Sequence, residues 1–89
     1  MARFEVPQHD GSVLAATDAS ADALYELGLT YAAGRAVAID LVAAHKWLNI
    51  AAFRGNAEAR RMRSEIAAEM TRAEIIEAQK QARAWVTMH

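Results

Sequence analysis

The stretch from Asp40 to Gly55 constrains this chain more than any other, because it carries both ends of a helix and almost no polar face. Asp40 can accept a hydrogen bond from the free N–H groups of a first turn, and its charge suits the positive end of the helix dipole. Gly55 can take the left-handed conformation that closes a last turn, and Arg54 sits favourably at the negative end. Between these ends only His45 and Lys46, with Asn49 and Arg54, are strongly polar, and His45 falls on the resulting narrow polar strip. One apolar stripe runs Leu41, Ala44, Leu48, Ala51 and Ala52, and a second runs Ala43, Trp47 and Ile50. A helix apolar on nearly all sides must be covered by neighbours. Its many alanines suit neighbours that approach closely. The prediction is the central helix of a small all-α domain.

The rest of the composition narrows the setting. With 89 residues the chain is one domain, small enough that its core is only just adequate. Much of the 54 % apolar content is alanine and aromatics are only 7 %, so Trp47, Trp85, Tyr25, Tyr31, Phe4 and Phe53 carry unusual weight. There is no cysteine, hence no disulfide and no thiolate metal site. A net charge of −1 supplies no general attraction to nucleic acid or to an anionic membrane. No apolar run approaches the ~20 residues of a membrane span, and the first residues lack the apolar core of a signal peptide. The expectation is a soluble cytoplasmic protein.

Residues 1–19 hold the sole proline, Pro7, and an Asp10-Gly11 turn signal, and they read as an irregular N-terminal arm. Arg3-Phe4-Glu5-Val6 alternates polar and apolar, as a short extended piece does, and Phe4, Val13 and Leu14 are its docking residues. A first helix is predicted over residues 20–33, capped by Asp18 or Ser20, with an apolar face of Ala23 (and Leu24), Leu27 and Tyr31. Gly28 beside that face costs ~1 kcal/mol relative to alanine. Close contact with another helix, through Trp47, would explain it. Asn56 caps a third helix over residues 57–70, with Ala59, Met62, Ile66 and Met70 inside and the pairs Glu58/Arg61 and Arg61/Glu65 outside. Thr71 and Glu74 form a capping box that starts a fourth helix over residues 72–86, whose stripe is Ile75, Ala78, Ala82, Trp85 and Val86. Ala23 and Ala59 each open an apolar stripe and lie 36 residues apart. A helix–turn–helix period of this length marks an α/α solenoid.

The run Ala23, Leu27-Gly28, Tyr31, Gly34, Val37, Asp40, Ala44, Trp47, Ala51-Ala52, Gly55 and Ala59 resembles the Sel-one-like repeat, a relative of the tetratricopeptide repeat. The resemblance covers residues 21–62, and the segment from Glu69 to Trp85 resembles the closing part of many bacterial proteins with such repeats. Ala36 departs from the pattern, which has a loop glycine there. The resemblance implies a short right-handed α/α solenoid of four antiparallel helices. Residues 20–56 would form one full repeat, and residues 57–87 a partial second repeat with a C-terminal capping helix. It also implies a non-catalytic scaffold for protein–protein contacts that takes no cofactor.

Solenoids of this kind bind along the groove lined by the first helix of each repeat. On the first helix the face away from its core stripe carries Asp22, Tyr25, Glu26 and Leu29, with Thr30. These residues form a protein-binding or dimerisation patch, or else they lie under the arm through Phe4, Val6 or Leu14. A short stack favours a homodimer, since repeat arrays need ~3 units for stability. The alternative function is a small regulator that binds an anionic ligand or acidic peptide at Arg54, Arg60, Arg61 and Arg63, set against neutralisation by Glu58, Glu65 and Glu69. His9, His45 and His89 lack the i,i+4 pairing with glutamate of a zinc-binding helix, and no metal site is expected. The glycines are scattered and the serines lack an activating base, so no enzymatic activity is expected.

Overall fold

The computed structural model of the chain describes residues 20–88, and all of its regular structure is helical. Helix α1 spans Ala21–Ala33, α2 Leu41–Phe53, α3 Ala57–Ala67 and α4 Arg72–Met88. The expected arm over residues 1–19, with Asp18 as a rival cap, lies outside the described residues, as does His89.

Each helix begins where side-chain chemistry satisfies its first N–H groups. Ser20 is the cap of α1, its hydroxyl accepting from the Ala23 N–H at 3.2 Å. The carboxylate of Asp40 does the same for Ala43 at 3.0 Å, and the amide oxygen of Asn56 for Ala59 at 2.8 Å. At α4 the capping box closes in both directions: the Glu74 N–H donates to the Thr71 hydroxyl at 3.1 Å, and the Thr71 N–H donates to the Glu74 carboxylate at 2.8 Å. Gly55, at φ 110°, turns the chain out of α2 as expected, and the Asn56 N–H then reaches back to the Ala51 carbonyl. Helix α3 stops at Ala67, short of the expected residue 70. The extended conformation that a cap such as Thr71 requires forces the chain out of the helix beforehand, through tight turns at Glu69 and Met70.

Helix α2 is the hub. It packs against each of the other three helices, which meet one another far less. Ala44, His45, Trp47, Leu48, Ile50 and Ala51 are all buried, as its nearly continuous apolar surface demands. Burial of His45 corrects the expected polar strip: with neighbours on so many sides, the strip shrinks to half-buried Lys46 and Asn49.

Two details of α1 also differ from expectation. Its contact line runs through Leu24 and Gly28, which are buried, while Ala23 is exposed and Leu27 and Tyr31 are half-buried. One residue is about 100° around a helix, so a line centred on the glycine leaves Ala23 outside. The glycine itself faces Leu48 rather than Trp47. A Cβ on Gly28 would lie 2.7 Å from Leu48 Cγ and 3.3 Å from the Ala44 carbonyl oxygen. Trp47 instead meets Trp85 edge to face, with ring centres 5.5 Å apart and planes at 82°. Met62 and Ile75, expected to be buried, are half-buried because α3 and α4 share little contact beyond α2. Ala59, Ile66, Ala78, Ala82 and Trp85 complete the interior as their spacing indicated.

Candidate functional site

The four residues expected to form a contact patch all lie on α1, in two different settings. Asp22 and Glu26 are exposed, whereas Tyr25 and Leu29 are half-buried and Tyr25 packs against the edge of the core. Asp22 is also engaged: its carboxylate accepts a hydrogen bond from the Asn56 side chain at 2.8 Å. That bond ties the start of α1 to the start of α3. The available patch is therefore Glu26, flanked by the open parts of Tyr25 and Leu29.

The arginines do not act as one cation. Arg61 is held between Glu58 and Glu65, at 2.6 Å from each carboxylate, on an exposed face. Arg63 donates to the Asn49 amide oxygen at 2.6 Å, and the guanidinium of Arg54 lies 5.1 Å over the Trp85 ring. Arg60 is exposed. Three of the four are thus directed at different partners.

His45 is 3 % exposed and its Nδ1 has no hydrogen-bond partner. Burial, and next the positive charge of Arg63, lower its pKa below 6.5. Burial also lowers the pKa of Lys46, whose ammonium sits 4.3 Å over the Trp47 ring. Among the described residues no group of three or more His, Cys, Asp or Glu side chains could hold a metal ion. No helix among them is long and apolar enough to cross a membrane.

One feature was not foreseen from the sequence. A cleft of about 300 Å³ opens between the last turns of α2 and α4, walled by Ile50, Phe53, Ala82 and Val86, with Asn49, Arg83 and Thr87 around it. Phe53 is 75 % exposed. The signal lay in Phe53 itself, a large aromatic residue placed at the helix stop beside Arg54 and Gly55, where no periodic stripe claims it.

Comparison with protein-family models, with curated proteins and with solved structures finds no match for this chain.

Proposed function

We propose that the chain is a non-catalytic protein-interaction module, a short α/α solenoid of the Sel-one-like type in antiparallel helix pairs, with the outer face of α1 as its contact surface. The observation that carries this reading is the repetition of the caps. Ser20 and Asn56 are 36 residues apart, and each accepts from the N–H three residues on, Ala23 and Ala59. The Asp22–Asn56 bond then joins the two equivalent helix starts side by side, as stacking of repeats requires. The second helices depart from this period, Asp40 and Thr71 being 31 residues apart, which suits a partial second unit closed by α4.

The contact surface is tested by capture from a cell extract with the chain and with the double variant Tyr25→Ala/Leu29→Ala, both verified as folded by circular dichroism. The reading expects a protein enriched by the parent chain and lost with the variant, and expects the part of that capture that depends on Tyr25 and Leu29 to persist at high salt, because these two side chains contribute apolar contact. Equal enrichment by both chains would contradict it.

A further inference from the structure

We infer that the cleft between α2 and α4 is the docking site of this chain's own N-terminal segment, with Phe4 and Val6 entering between Phe53 and Val86. The cleft is apolar in its walls, and Phe53 presents most of its ring to solvent there. A single exposed apolar residue needs no explanation, but one that walls an apolar cleft marks a surface suited to a contact.

Three observations favour this segment over other occupants. The first is where it joins the bundle. Ser20 caps α1, and Asp22 in its first turn is bonded to Asn56, three residues after Phe53, so the described chain begins near the end of α2 that walls the cleft. Nineteen extended residues reach about 60 Å, several helix diameters. The second is side-chain chemistry. Arg3-Phe4-Glu5-Val6 alternates polar and apolar residues, the pattern by which a segment that is extended on docking offers two apolar side chains on one face. The third is charge. Residues 1–19 carry Glu5, Asp10 and Asp18 against Arg3, three acids to one base or −2, while among the described residues that line the cleft Arg83 is the one with a charge. The competing surface on α1 is acidic, through Asp22 and Glu26, and Tyr25 there already packs on the core. The acidic segment is repelled from that face and attracted to the cleft. Tethering adds to this, since a short linker gives an effective concentration in the millimolar range, enough for a weak contact to be well populated.

The chain contains no cysteine, so two introduced thiols are the sole reactive pair. The full-length double variants Gln8→Cys/Thr87→Cys and Gln8→Cys/Glu26→Cys are oxidised under identical dilute conditions and the disulfide within one chain is followed by gel mobility. Docking in the cleft predicts that the Thr87 pair closes about tenfold faster than the Glu26 pair, through its higher effective concentration. It also predicts that adding Phe4→Ala removes the difference. Equal rates, a faster Glu26 pair, no effect of Phe4→Ala, or a Thr87 product that is chiefly a cross-linked dimer would each overturn the inference.

Discussion

His45 sits in the interior of α2 with an unpartnered Nδ1 and the positive charge of Arg63 acting on it, so its neutral form is the one the fold accommodates. Its pKa in the folded chain is therefore below 6.5, and the unfolded chain binds the extra proton more readily. The resulting stability is fully present above pH 6.5 and is lost as pH falls from 6.5 towards the folded value. Urea unfolding at pH 7.5 and at pH 5.5 should show a drop in midpoint for the parent chain and a smaller drop for His45→Gln; equal drops would refute the assignment. Ala36 makes an opposite kind of case. Its φ of 63° is left-handed, at the position where the Sel-one-like resemblance expects glycine. That conformation costs an L residue ~1–2 kcal/mol, against ~0.4–1 kcal/mol for the greater unfolded freedom of glycine. Ala36→Gly should raise Tm by about 2–5 °C in a domain of this size, and a lower Tm by calorimetry would show that the strain is absent.

At the scale of elements, what was legible and what was not follows from the range of the forces involved. Asp40, Asn56 and Thr71 could be read as caps, and Ser20 as one of two candidates beside Asp18, because a cap is satisfied within three residues of sequence. The stripe Ala78, Ala82 and Trp85 was readable because periodicity fixes a face. Periodicity does not say which neighbour fills that face. Hence the partner of Gly28 is Leu48 and not Trp47, α1 is turned away from Ala23, and His45 is inside. The cleft beside Phe53 depends on how far apart two helix ends lie, which no local pattern encodes. Asn56 combines local and distant roles: it caps α3, donates to Asp22 and bonds back to α2 through its N–H. Asn56→Ala should cost about 1–2 kcal/mol, at the upper part of the range for a lost cap, as measured by chemical denaturation. A cost near zero would mean that solvent replaces both side-chain bonds.

At the scale of the whole molecule, α2 is the element on which the other three helices depend. They pack on it and scarcely on one another, and its largest side chain is locked against Trp85 of α4. Such an arrangement has no part that keeps its contacts once α2 is lost, so the helices should unfold together. The ends of the outer helices are free to fray while α2 remains covered, and the surfaces proposed for binding lie on those helices or at their edges. Native-state hydrogen exchange of the full chain tests this directly. The account predicts that the amides of Leu48, Asn49, Ile50 and Ala51 exchange only through global unfolding and are the most protected in the chain. Exchange of these amides by local opening, or slower exchange in α1 or α4 than in α2, would contradict it.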